Sequence, residues 1–306
     1  MLTNSNHYIH PAKQVIFLLL SVVGFAIIGS VIAMGLVVSL YGMDVMQEIS
    51  HPSAALSGNV LNALRIVQTI TSLSMFLGAS VFFAYRVVYE PEEYLKATNR
   101  FPAVLLLLAL AIMLCSRPIL EFLTVVNLKM TLPDSLRGLE NWMRESEKSN
   151  QLLIEALLDM KTFADLLISL LIIGLFTAIA EEFIFRGCLQ TILIRWIRNP
   201  HTGIWVTAAI FSAIHVQFFG FLPRLMLGVL FGYFAYWSGS IWPAVWGHFL
   251  HNGSSVVLVY LFQHHKIADP DAPQTFNYII YLLSLILTCL LMYTYRNVSR
   301  QQPLIG

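Results

Sequence analysis

Residues 163–197 read FADLLISLLIIGLFTAIAEEFIFRGCLQTILIRWI. The segment is apolar enough to cross a bilayer, yet Glu181, Glu182 and Arg186 stand in its middle. An ionised side chain at membrane depth costs roughly 2.5–3.5 kcal/mol even on the lenient insertion scale. Three such groups kept together should therefore be paired, turned toward a cavity and functional.

The rest of the chain makes the bilayer the natural solvent. Of 306 residues, 57% are hydrophobic and only 11% are charged, against about 25% charged in soluble domains. Counted in spans of about 20 residues, the sequence predicts an all-α, polytopic membrane helix bundle. Apolar stretches at 14–41, 66–89, 101–126, 163–197, 202–217, 221–239, 241–262 and 277–295 give about eight transmembrane helices, the later ones joined by tight hairpins. The first stretch is far longer than a signal-peptide core and reads as a retained anchor. A net charge of +1 and the lack of any basic block argue against a nucleic-acid partner. Cys115, Cys188 and Cys289 lie in apolar stretches without CxxC spacing, which predicts buried thiols rather than a disulfide framework.

Three regions follow: an N-terminal membrane region with a connector over 1–162, a core over 163–262, and a last helix and tail over 263–306. In the connector, residues 133–162 interleave Arg137, Glu140, Arg144, Glu145, Glu147 and Lys148 with Leu136, Leu139, Trp142 and Met143. This predicts an amphipathic helix at the interface, started by Pro133-Asp134-Ser135. The Lys and Arg residues of the short loops place Lys13, Arg86, Lys96, Arg100, Arg195, Arg198, Arg296 and Arg300 on one side, which the positive-inside rule makes cytoplasmic. Trp196, Trp205, Trp237 and Trp242 fall at span ends on that same side. The expectation is a multi-pass protein of the cell membrane with both termini inside and the 133–162 segment outside.

Glu182 and Arg186 are four residues apart on one helix face, with the acid toward the N-terminus, the favourable order for an ion pair. Glu181 projects about 100° away and is left for chemistry. His215 ends a Phe211-x-x-x-His215 run, and His248 and Asn252 share a face in the His248-Phe-Leu-His251-Asn252 run. His251 reads as a packing residue, Gly228 and Gly232 as a helix-packing seam, and Arg117 and Glu121 as a structural pair around Pro118. A carboxylate and an imidazole can activate water, while a second imidazole and a carboxamide stabilise an oxyanion, so the set points to hydrolysis.

Glu181-Glu182-x-x-x-Arg186, Phe211-x-x-x-His215 and His248-x-x-x-Asn252, in this order and on separate membrane helices, resemble the three motifs of the CPBP family, the type II CAAX prenyl proteases and bacteriocin-processing enzymes. The resemblance covers residues 164–262. It implies an intramembrane endopeptidase acting on a membrane-associated protein or peptide, with its cavity open toward the cytosolic side. Carried over, Glu181 is the general base, His215 helps hold the water, His248 and Asn252 form the oxyanion hole, and Glu182 and Arg186 shape the site. The family has also been described as zinc-dependent. Glu181, His215 and His248 would then be the ligands, although the chain has no HExxH helix, and the metal-free reading is preferred. The alternatives are a non-catalytic membrane immunity or scaffold protein that retains the cavity, a rhomboid-like serine protease using the Gly253-Ser254-Ser255 run, and a proton-coupled transporter.

Overall fold

A computed structural model of the chain describes residues 9–50, 58–88, 90–269 and 275–300. Both chain ends, residues 1–8 and 301–306, which the orientation expectation concerns, lie outside the described residues. Among the described residues the protein is all-helical. Its helices are α1 (Pro11–Tyr41), α2 (Met43–Ser50), α3 (Gly58–Val87), α4 (Pro91–Leu95), α5 (Val104–Leu128), α6 (Arg137–Leu157), α7 (Phe163–Ile197), α8 (Pro200–Ala213), α9 (Phe221–Ser238), α10 (Trp242–Gln263) and α11 (Tyr278–Arg300).

Among the described residues six segments are long and apolar enough to cross a membrane: α1, α3, α5, α7, the 218–238 segment that contains α9, and α11. The polytopic bundle is as expected, with six candidate spans by length and composition where about eight were expected. The expected spans at 202–217 and 241–262 became α8 and α10. At 1.5 Å per residue, α8 with its 14 residues reaches only about 21 Å. Helix α10 is long enough, but His248, His251, Asn252, Ser254 and Ser255, which line a cavity, lower its mean hydropathy. The outer helices behave oppositely. Leu20 and Val31 on α1 are 64% and 65% exposed, a surface that suits acyl chains and not water. Cys188 is buried as expected, whereas Cys289 is exposed on α11; all three thiols are free.

Local chemistry explains several helix boundaries and bends. Pro118 lies inside α5 and has no N–H to give. Across this break Ser284 of α11 enters the backbone ladder: Ile119 N–H donates to its Oγ (3.2 Å), and its hydroxyl donates to Cys115 O (2.6 Å). Helix α6 is the expected amphipathic helix, and Arg65 of α3 closes its end by donating to Leu157 O and Asp159 O. Near its other end Trp142 packs on Phe218, Arg144 lies over the Phe219 ring (4.5 Å), and Phe219 N–H donates to Glu147 (3.1 Å). Helix α6 is thus docked across the turn that precedes α9.

The core is shared between the three sequence regions. One cluster joins Leu105, Ala109 and Ile112 of α5 to Phe231 and Phe234 of α9, Ala244 of α10 and Tyr295 of α11. A second joins Leu18 of α1 and Phe83 of α3 to Phe185, Cys188 and Ile192 of α7 and Phe211 of α8. Two faces result. On one, Ile241 N–H donates to Lys96 O and Trp242 Nε1 to Ala97 O, while Arg195 stacks over Tyr94 and His10 meets Trp196. On the other, Gln263 bonds Met160 and Leu158, and Asn127 bonds Phe218 O and Leu222 N, around α6.

Candidate active site

Helix α7 carries the acidic pair between two π-helical stretches, Leu170–Phe176 and Phe183–Leu189. Such stretches are common at functional sites, because the extra residue per turn re-aims side chains and releases carbonyls from the backbone ladder. Arg186 and Glu182 are both fully buried and paired, with Nη1 donating to Oε1 at 3.0 Å. Arg186 Nη2 donates to Gly228 O (3.0 Å), and the guanidinium lies 4.7 Å from the centre of the Phe211 ring. One turn on, Gln190 Nε2 donates to Gly232 O (3.1 Å). The two glycines form the expected packing seam. A Cβ at Gly228 would stand 3.0 Å from Ala208 Cβ, and one at Gly232 only 2.7 Å from Ile204 Cγ2 and 2.8 Å from Gln190 Oε1. Their bare backbone also leaves two carbonyls within reach of Arg186 and Gln190, a second role that the spacing alone did not disclose.

His248 of α10 sits between the two acids. Its Nδ1 is 2.8 Å from Glu182 Oε1 and its Nε2 is 3.7 Å from Glu181 Oε2, while its ring stacks on Phe231 at 5.0 Å. Glu182 therefore joins Arg186 and His248, and Glu181 is the acid left facing outward. His215 lies just past the end of α8, in the turn after Ala213 and not within a span as expected. Its Nδ1 is 2.7 Å from Phe211 O. A carbonyl can only accept, so Nδ1 carries the hydrogen and the neutral ring keeps an acceptor at Nε2. Asn252 Nδ2 donates to Ile173 O (3.2 Å), inside the first π-helical stretch. The carboxamide therefore steadies α7, with its second amide hydrogen still available.

These side chains meet at one cavity of about 770 Å³. Glu181, His215, His248 and Asn252 line it, whereas Glu182 and Arg186 are packed behind its wall. Arg117, Glu121, Arg224 and His251 line it as well. Arg117 and Glu121, expected as a structural pair, and His251, expected as packing, thus line the cavity, and Arg224 joins them with no role expected of it. The signal for Arg224, as for Arg117 and Glu121, was a charge within an apolar stretch. Phe231 was missed altogether, since an aromatic residue in an apolar span is indistinguishable from ordinary core.

The cavity also has a direction. Its lining comes from Gln68–Leu73, from the α5 segment reaching Thr124, from Ile154–Leu158 of α6, from α7 down to Glu181, from Gly220–Phe231 and from His248–Val256. None comes from the 88–103, 195–200 or 239–242 segments. Glu181 lies at one end of this lining, and the cavity extends from it toward α6. Two expectations therefore conflict. The basic loops put α6 outside, while the resemblance puts the opening toward the cytosol.

The zinc alternative requires Glu181, His215 and His248 to converge. Among the described residues no three or more His, Cys, Asp and Glu side chains are grouped as a metal site. His248 Nδ1 lies against Glu182, and its Nε2 is directed at Glu181 Oε2, 3.7 Å away.

Comparison with known proteins places this site in a family region. Residues 163–254 match the family model described as type II CAAX prenyl endopeptidase Rce1-like. A curated relative, the uncharacterized protein YpbD of Bacillus subtilis (strain 168), is 29% identical over 85 residues, which cover 26% of this chain and 40% of that protein. The match thus spans less than half the length of that relative. No solved structure matches the chain. The matched region holds α7, α8, α9 and most of α10, the elements that carry all three motifs.

Proposed function

We propose that the protein is an intramembrane endopeptidase that hydrolyses a peptide bond in a membrane-associated protein or peptide. The observation that carries this reading is the division of labour between adjacent acids: Glu182 is taken up by Arg186 and His248, while Glu181 faces the cavity beside His248 Nε2. A structural ion pair needs one carboxylate, and a hydrolase needs a second that is open to water.

In this mechanism Glu181 accepts a proton from a water molecule as its oxygen attacks the peptide carbonyl. His215 holds the same water through Nε2, the ring atom left free by the bond from Nδ1 to Phe211 O. The tetrahedral oxyanion is met by the remaining amide hydrogen of Asn252 and by His248, which in its doubly protonated form donates from Nε2. Glu181 then passes its proton to the amine nitrogen as the C–N bond breaks. No step runs through a metal ion.

Purified protein in proteoliposomes, given a library of lipid-anchored fluorogenic peptides, is expected to cleave a subset of them. Glu181→Gln should lower that turnover by at least about 10²–10⁴-fold, the range for loss of a general base, while the protein still folds. Elemental analysis of the same active, chelator-washed preparation should find no metal that tracks with activity. Wild-type rates from Glu181→Gln would refute the assigned base, and stoichiometric zinc restoring chelator-lost activity would refute the metal-free route. A wild-type protein that cleaves nothing would favour the scaffold alternative.

A further inference from the structure

Arg224 occupies the first turn of α9 and lines the cavity that also holds Glu181. Its guanidinium is held by neutral oxygens: Nη2 donates to Gln217 Oε1, and Nη1 lies 3.5 Å from Gln217 O. Gly220 lies beside it, where a Cβ would stand 3.4 Å from Nη2, at van der Waals contact. Four arginines, Arg65, Arg137, Arg144 and Arg186, have a carboxylate within 4.0 Å. Arg186 has Glu182, Arg65 has Asp165 at 3.7 Å and Arg144 has Glu140. Among the described residues no carboxylate lies within 4.0 Å of Arg224; Glu147 and Glu181 reach it only through their longer-range fields. Arg117 and His251 line the same cavity.

A guanidinium half-buried in a cavity wall is costly to keep unless it meets an anion or performs a task. Arg224 has five N–H donors in a planar fork, and Gln217 occupies part of them, which leaves a geometry suited to a carboxylate. We propose that Arg224 anchors a carboxylate of the substrate, so that the cavity selects peptides bringing an acidic group to the α9 wall while the scissile bond lies at Glu181. The carboxylate can belong to the peptide C-terminus or to an Asp or Glu side chain. This rests on the endopeptidase reading, which it deepens by naming what the substrate must carry.

The test is binding to the full-length Glu181→Gln protein in nanodiscs, so that cleavage does not intervene. The probes are three fluorescent, N-palmitoylated dodecapeptides of one sequence: a free acid, its amide, and an amide with glutamate at the penultimate position. At least one acidic peptide should bind about tenfold or more tightly than the plain amide, equivalent to about 1.4 kcal/mol. If only the free acid gains, the C-terminus is the ligand; if the glutamate amide gains, a side chain suffices. Adding Arg224→Gln should erase the preference, and Arg224→Lys should keep part of it, with thermal unfolding showing that both fold. Should Arg224→Gln fail to fold, Arg224→Lys with a weakened but surviving preference carries the test. Equal binding of all three peptides, binding of none, or a preference that survives Arg224→Gln overturns the anchor. Cleavage is scored separately with Glu181 intact. Acid-selective binding without any cleavage sinks the protease reading alone, and cleavage indifferent to the acid sinks the anchor alone.

Discussion

Glu181 and Glu182 are neighbours in sequence with opposite surroundings. Glu182 is fully buried between Arg186 and His248, and Glu181 faces the cavity. Glu182→Gln leaves Arg186 with a neutral partner in a low-dielectric setting, and breaking a buried pair costs on the order of 3–5 kcal/mol. Chemical unfolding should show that loss in Glu182→Gln, and no loss of that size in Glu181→Gln. Comparable stability of the two variants would contradict the division of roles. Asn252 is the other informative residue. If its free amide hydrogen meets the oxyanion, Asn252→Ala should lower kcat by about 10²–10³ with little change in KM. A rise in KM at constant kcat would instead assign it to binding. Because Asn252 also holds Ile173 O, the variant's thermal unfolding must be recorded beside its kinetics.

At the scale of elements, the contact between α8 and α9 sets where Arg186 can sit, and it depends on the absence of two side chains. Gly232→Ala would force a methyl against Ile204 and Gln190 at 2.7 and 2.8 Å. Overpacking of this kind costs about 1–3 kcal/mol, which outweighs the ~1 kcal/mol helix-propensity gain of replacing glycine. Gly35 in α1 is the control, since a Cβ there meets nothing within 4 Å. Gly232→Ala is expected to lower the unfolding midpoint and Gly35→Ala to leave it level or raise it. Equal effects would show that propensity, not the seam, governs the contact. The π-helical stretches of α7 matter at this scale too. Asn252 reaches Ile173 O in the first stretch, and the i,i+4 ion pair of Glu182 and Arg186 survives although Arg186 lies in the second.

For the whole molecule the open physical question is which compartment the cavity faces. The cavity extends toward α6, and the opposite face gathers Lys96, Arg100, Arg195 and Arg198 at helix ends and in short loops, with Trp196 and Trp242 nearby. The positive-inside rule predicts that the α6 end of the cavity is extracytoplasmic. Single cysteines at Ser146 on α6 and at Asn199 before α8, in a background lacking the three native thiols, should react differently with a membrane-impermeant maleimide on intact cells. Ser146 should label and Asn199 should stay protected until lysis. The reverse pattern would place the α6 end of the cavity on the cytosolic side, the side toward which the family resemblance has the site open.

The sequence by itself determined whatever depends on composition or on one helix turn. Bulk hydropathy made the protein an all-helical membrane bundle. Alternating charge over residues 133–162 marked α6. The four-residue spacing of Glu182 and Arg186 foretold their ion pair, because such partners meet through backbone geometry alone. Tertiary structure decided what depends on the packing of helices far apart along the chain. Glu182 and His248 are 66 residues apart, and Asn252 and Ile173 are 79 apart, so no local pattern could show that the histidine bridges both acids or that the carboxamide steadies α7. Packing also turned the polar face of α10 to a cavity, brought Arg224 to the same cavity as Glu181, and extended that cavity to the end of α6. Hydropathy measures what a segment prefers as solvent; only the assembled bundle determines whether its polar face meets lipid, protein or a cavity.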